Sequence, residues 1–162
     1  MTLIVEDGTG LSTANSYATV AEADAYHQSR LHTSTWDAAY STDKEAALIW
    51  ASRLLDEHTN WCGTPATSTQ ALCWPRSSTY SKIGVLLSST AIPADVKNAT
   101  SELARRLLAS DRPQSSEEGT VTSKSVGPLS ISYAGSRSSA AVPDSVSWMV
   151  RHLIAPRMAM RA

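Results

Sequence analysis

Two cysteines and a histidine are the residues of this sequence best suited to metal chemistry. His58, Cys62 and Cys73 could supply three zinc ligands. Structural zinc sites need four ligands, and their cysteines usually come in closely spaced pairs. The spacing here matches none of the common patterns, so buried apolar thiols are the favoured interpretation.

The usual signatures of catalysis are also missing from the sequence. It contains no glycine-rich phosphate loop ending in Lys-Ser or Lys-Thr, no HExxH and no GxSxG. The other histidines, His27, His32 and His152, have no acid or nucleophile at a characteristic spacing. We therefore expect a protein that is not an enzyme and that binds no metal and no cofactor.

Aromatic residues and one cation within residues 61–80 could instead bind single-stranded nucleic acid. Bases stack on exposed aromatic rings for ~1–3 kcal/mol each. The candidates for base stacking are Trp61, Trp74, Arg76 and Tyr80. Because the chain has no Phe, a role as packing anchors is favoured for Trp61 and Trp74.

Charge is distributed unevenly along the 162 residues. The net charge is −1 at pH 7, but residues 1–60 carry −6 and residues 61–162 carry +5. Such unlike segments could let copies of the chain meet head to tail, although a solvated surface is the commoner outcome. No apolar run approaches the ~20 residues of a membrane span, and the early acids Glu6 and Asp7 do not resemble a secretory signal. We expect no membrane association and a cytoplasmic setting.

The elements that must position these residues are mainly helices. Capping patterns and apolar residues at helical spacing predict helices over about 19–30, 42–58, 92–110 and 143–154. Two of these helices open with capping boxes, at Thr19–Glu22 and Thr42–Glu45. Residues 59–91 read as loop, apart from a buried, extended stretch at Gln70–Arg76.

The segment before the last helix alternates apolar and polar residues around a Gly-Pro turn. This pattern predicts a β-hairpin over residues 121–133. The predicted fold class is therefore mainly α, a small helical domain of about four helices with one β-hairpin inserted before the C-terminal helix. We assign residues 1–141 to this domain and residues 142–162 to a C-terminal helix and basic tail.

Several short blocks, in this order, resemble the head-to-tail adaptor (connector, or head-completion) proteins of tailed bacteriophages. Members of that family are also described as DnaT-like single-stranded DNA-binding proteins. None of the blocks contains a reactive group. The blocks are Val5–Gly10, Ala14–Tyr17, Val20–Tyr26, Lys44–Ile49, Gln70–Arg76, Ile92–Lys97 and Val126–Leu129.

The resemblance implies a structural protein of the virion. About twelve copies would form a ring at the head-tail junction, assembled in the host cytoplasm between the portal protein and a tail or tail-completion protein. Double-stranded DNA would pass through the ring without specific binding. The alternative is a single-stranded DNA-binding, DnaT-like replication accessory protein.

Two sets of residues are candidates for contacts within such an assembly. Lys124, Arg105 and Arg106 are candidates for the channel lumen or a subunit interface. The C-terminal segment is apolar and basic, which suits docking on a portal, although an ordinary core helix has the same pattern. The candidate docking residues are Trp148, Met149, His152, Leu153, Ile154 and Arg157.

Overall fold

A computed structural model describes residues 2–109, 123–126, 129–132 and 141–155 of the chain, the two short inner segments by backbone alone. This part of the chain is mainly helical, as the sequence predicts. A final 3₁₀ turn covers Arg151–Leu153. The elements are α1 (Val20–Gln28), α2 (Ser34–Asp37), α3 (Ser41–His58), β1 (Thr64–Pro65), β2 (Arg76–Ser77), α4 (Ala94–Leu107), β3 (Ser123–Val126), β4 (Leu129–Ser132) and α5 (Asp144–Val150).

Helix α1 begins with the predicted capping box. The Glu22 amide donates to the Thr19 hydroxyl at 3.1 Å, and the Thr19 amide donates back to the Glu22 carboxylate at 2.8 Å. These two bonds give partners to two amides at the start of the helix that the helix itself leaves unpaired. The helix ends at Gln28, two residues before the predicted end.

The capping box predicted at Thr42 is wrong, because α3 has already begun there. The carbonyl of Tyr40 accepts the amides of Asp43 and Lys44 at 3.0 Å each, and Tyr40 is the N-cap residue. No side chain caps this end. The predicted end at His58 is confirmed.

The core forms where α3 and α4 pack together, with α1 and α5 against α4. The predicted apolar face of α3 is buried throughout. Helix α2, which the sequence analysis missed, adds the buried ring of Trp36, whose indole N–H donates to Asp24 at 2.7 Å. Further large side chains of the core are Tyr17, Leu48, Leu54, Leu55, Trp74 and Leu103.

The first block of the resemblance, Val5–Gly10, is a loop built around one buried carboxylate. Glu6 is 1% exposed and accepts the amides of Gly8, Gly10 and Leu11 at 2.8–2.9 Å. Gly8 has φ +103°, and a Cβ there would lie 2.2 Å from the Thr90 carbonyl oxygen. The shape of the loop therefore depends on a carboxylate at position 6 and a glycine at position 8.

The C-terminal helix shares the core of the rest of the described chain. Helix α5 packs on α4, and Val146, Val150 and Leu153 are fully buried. The predicted hairpin is confirmed: β3 and β4 pair antiparallel, with Lys124 opposite Ile131. Among the described residues, no helix combines the length and apolar character needed to cross a membrane.

Candidate nucleic-acid interface

The tryptophans proposed for base stacking are packing residues. Trp74 is fully buried and Trp61 is 5% exposed, and their rings meet edge to face with centroids 5.7 Å apart. The indole N–H of Trp61 donates to Asp56 at 3.0 Å. Neither ring presents a face on which a base could stack, so this part of the base-stacking set is corrected.

Arg76 is also a largely buried residue. Its guanidinium donates to the backbone carbonyls of Cys62, Cys73 and Gly63 at 2.7–3.1 Å, one bond from each nitrogen. This cation links the strands β1 and β2, of which the sequence analysis read Thr64–Pro65 and Ser77 as loop and Arg76 as the end of a buried, extended stretch. Of the four base-stacking candidates, only Tyr80 is exposed.

A partly buried carboxylate, Asp56, explains how the Cys73–Trp74 stretch is held against the core. Asp56 accepts the Tyr17 hydroxyl at 2.6 Å, the Cys73 amide at 2.9 Å and the Trp61 indole. Burial raises the pKa of Asp56 and, with the nearby Asp56 charge, raises the pKa of the Cys73 thiol to about 11. The thiol is therefore protonated at neutral pH, a poor metal ligand, and no three His, Cys, Asp or Glu residues of the described chain come together as a metal site.

The C-terminal docking candidates lie in different surroundings. Trp148 is 68% exposed, whereas Met149 is half-buried and Leu153 is fully buried. His152 lies 3.3 Å from Asp95, and the backbone of Ile154 pairs with Trp61. Arg157 lies outside the described residues, as does the side chain of Lys124. Most of this segment therefore packs as a core helix does, and Trp148 alone of the described candidates is largely free to meet a partner.

Three arginines converge on a single buried carboxylate, Glu102 of α4, whose side chain is 3% exposed. Arg105 and Arg106, one turn further along α4, bind its Oε1 at 2.9 and 3.2 Å. Arg30, just beyond the end of α1, binds Oε2. Arg105 and Arg106 pair with Glu102 at i,i+3 and i,i+4 within α4, whereas Arg30 comes from 72 residues away. We call Arg30, Arg105 and Arg106 the arginine cluster.

The arginine cluster carries excess positive charge. Three guanidinium groups face one carboxylate, so the arginine cluster and Glu102 together carry two positive charges. Burial raises the pKa of Glu102, but the bonds and charges of Arg105, Arg106 and Arg30 outweigh burial and lower it overall. The carboxylate is thus ionised at neutral pH, and the three arginines with Glu102 remain net cationic.

An aromatic ring lies beside the cluster. The Arg30 guanidinium lies 5.6 Å from the centroid of the half-buried Tyr26 ring and donates to its hydroxyl at 3.0 Å. Next to Tyr26, a shallow groove of about 430 Å³ runs between α1 and α4 and is lined by polar side chains that include Ser29, Asn98 and the ion pair of Lys97 with Glu22. Guanidinium groups next to an aromatic ring and a polar groove can take phosphates and a stacked base together.

His27 supports this surface from beneath. It is buried against Trp36, and its Nε2 lies 3.1 Å from the carbonyl of Ser101 on α4. Burial lowers the pKa of His27, so the ring is neutral at pH 7 and adds no charge. The contact fixes α1 against α4 at the level of the arginine cluster.

Sequence reasoning missed Arg30 and Tyr26 as site residues. Arg30 was the last residue of a predicted helix, and nothing in the spacing of one helix reveals which other helix it contacts. The available signal was Glu102, an acid on the buried side of α4. A buried carboxylate needs cationic partners, and Arg105 and Arg106 of the same helix already supply one more positive charge than Glu102 requires.

A second exposed feature is the segment from Thr79 to Leu87, which we call the 79–87 loop. It is a small hairpin in which the Leu87 amide donates to Thr79 at 2.9 Å and the Ser81 amide donates to Val85 at 2.8 Å. Four large apolar side chains stand out from it. They are Tyr80, Ile83, Val85 and Leu86, between 54% and 86% exposed.

Comparison with known proteins gives one match. A family model described as "Putative DnaT-like ssDNA binding protein" matches residues 1–162. Neither a curated protein nor a solved structure matches.

Proposed function

Because the chain belongs to the family of putative DnaT-like ssDNA binding proteins, we propose that it binds single-stranded DNA at the arginine cluster and Tyr26. The observation that supports this most is the excess of cations around Glu102. This reading is the alternative that the sequence left open, moved from the buried tryptophans to the surface of α1 and α4.

Binding would be electrostatic and insensitive to base sequence. Each phosphate that a cation neutralises releases counterions, so affinity falls as salt rises, with a slope of about −0.7 per contact for single strands. Two excess charges would give a slope of about −1.4 from the arginine cluster. The ring of Tyr26 would add stacking on a base, which duplex DNA does not offer.

The test is a fluorescence anisotropy titration of a labelled oligothymidine at several salt concentrations, with the same sequence as duplex for comparison. We expect binding that weakens with salt along a slope of −1.4 or steeper, and weaker binding of the duplex. Absence of binding at low salt, or binding without salt dependence, would contradict the proposal.

As a second function we propose that the protein is a structural adaptor of a tailed phage, with the partners and location implied by the resemblance. The supporting observation is the 79–87 loop, because an isolated molecule gains nothing from four large apolar side chains in water. An assembly protein needs such a surface. A ring of about twelve subunits on the portal would place the loop against a neighbour, at the head-tail junction of the virion.

Native mass over a range of concentrations, together with negative-stain images, tests this second function. A closed ring, formed alone or when portal protein is added, is the expected result. A protein that stays monomeric with portal present and binds oligothymidine would contradict the adaptor proposal and favour the first function.

A further inference from the structure

The 79–87 loop lies at one end of α4. Lys82 of the loop binds Asp95, the second residue of α4, with 3.2 Å between Nζ and Oδ1. This pair is largely exposed, so it contributes little to stability and can be exchanged for another partner. The neighbouring side chain of Ile83 is 86% exposed.

An apolar groove lies at the opposite end of the same helix. Leu107 and Leu108, at the end of α4, form it with Ala46, Ala47 and Trp50 of α3, and it encloses about 400 Å³. Asp43 lies at its edge. Because α4 has 14 residues, about 21 Å of helix separates the groove from the loop.

We propose that the 79–87 loop of one copy enters the α3–α4 groove of a second copy of this chain. Both surfaces are apolar and each carries one charge of opposite sign, Lys82 on the loop and Asp43 at the groove. Insertion of Ile83 beside Trp50 brings Lys82 toward Asp43. Water is excluded from both surfaces at once.

The positions of the two surfaces allow two kinds of assembly. In a two-fold dimer with antiparallel α4 helices, each copy inserts its loop into the groove of the other. In a heterologous series, each copy gives its loop to one neighbour and receives the loop of another, and the series closes as a ring or continues as a filament. The adaptor ring requires the heterologous arrangement. The inference thus names the contact of the proposed adaptor ring and rests on that second function.

Two variants separate the halves of the contact. Ile83→Ser removes the most exposed apolar side chain of the loop, and Ala46→Arg fills the groove from an exposed helical position where arginine is well tolerated. Leu31→Ser is the matched control, because Leu31 is 83% exposed outside both surfaces. The measurement is sedimentation velocity of each protein, and of mixtures, over a range of concentrations.

We expect the wild type and Leu31→Ser to associate as concentration rises. Ile83→Ser and Ala46→Arg each raise the dissociation constant by about ten- to a hundredfold, as loss of one buried aliphatic contact predicts. An equal mixture of these two variants forms a dimer and stops there, because only one loop and one groove remain intact.

Other outcomes distinguish this contact from the ring. Open chains that never close, or a two-fold dimer that does not grow further, would support the contact and contradict the ring. A ring that persists in both variants would overturn the contact while supporting the adaptor function. A wild type that stays monomeric at all concentrations, or Ala46→Arg associating as well as the wild type, would also overturn the contact.

Discussion

Replacing Arg30 by Gln is the sharpest test of the arginine cluster as a DNA-binding surface. Arg30 is the most exposed of the three arginines, with 38% of its side chain accessible, and it lies outside the helical part of α1. The change removes one cation and its stacking on Tyr26. It leaves Glu102 bound by Arg105 and Arg106, so the buried carboxylate keeps two partners.

The size of the effect follows from the charge removed. One fewer phosphate contact makes the salt slope shallower by about 0.7. If the variant and the wild type bind equally at 1 M salt, the variant therefore binds about fivefold more weakly than the wild type at 0.1 M salt. The fold is affected little, because the Arg30 side chain itself is more than one-third exposed and the buried Glu102 keeps two other guanidinium partners. The expected result is therefore weaker binding with a nearly unchanged denaturation midpoint.

The assay is oligothymidine anisotropy from low to high salt, with Arg53→Gln as the matched control. Arg53 lies on α3, pairs with Glu57 at 2.6 Å and is 64% exposed, so its loss changes the net charge equally. If the Arg30 and Arg53 variants have the same salt slope, attraction by overall charge explains the binding. In that case the reasoning about the arginine cluster is refuted.

Three further predictions concern stability, measured by urea denaturation. Glu6→Gln lowers the free energy of unfolding by about 2 kcal/mol, since an amide group must face an amide donor where a carboxylate accepted it; an unchanged midpoint would contradict this. Gly8→Ala destabilises more than Gly84→Ala, because both have positive φ but only at Gly8 would a Cβ meet backbone, at Thr90; equal losses would contradict the close approach. Burial lowers the pKa of His27 from 6.5, so the unfolded chain binds a proton more readily and the free energy of unfolding falls as pH drops below about 6.5. His27→Gln should reduce this pH dependence, and an identical pH profile for the variant would argue against it.

The helices could be predicted because their signals are local. The capping box at Thr19 and the apolar spacing of α3 each depend on residues within a few positions. The box at Thr42 failed because threonine and glutamate three residues apart do not exclude a helix that begins earlier. Helix α2, with four residues, is too short for any periodic signal.

The site could not be predicted in the same way, because its contacts are long-range. Trp61, Trp74 and Arg76 resemble a stacking platform in the sequence, and only the partly buried Asp56 and the carbonyls around Arg76 reveal them as interior residues. Arg105 and Arg106 were singled out from sequence as DNA-facing or interface residues, a role that remains a prediction. Their partner Arg30 required knowledge of how α1 packs on α4.

The carboxylate of Glu102 also has a consequence for the entropy of binding. An arginine free in solvent samples many rotamers, and fixing it on a ligand costs about 0.5–1.5 kcal/mol. Around Glu102 the three side chains are already ordered by their shared acceptor. Under the proposed function, a DNA strand would meet arginines whose rotamer freedom was already lost when the chain folded. The same carboxylate that lowers the charge of this surface would then also lower the entropy cost of binding.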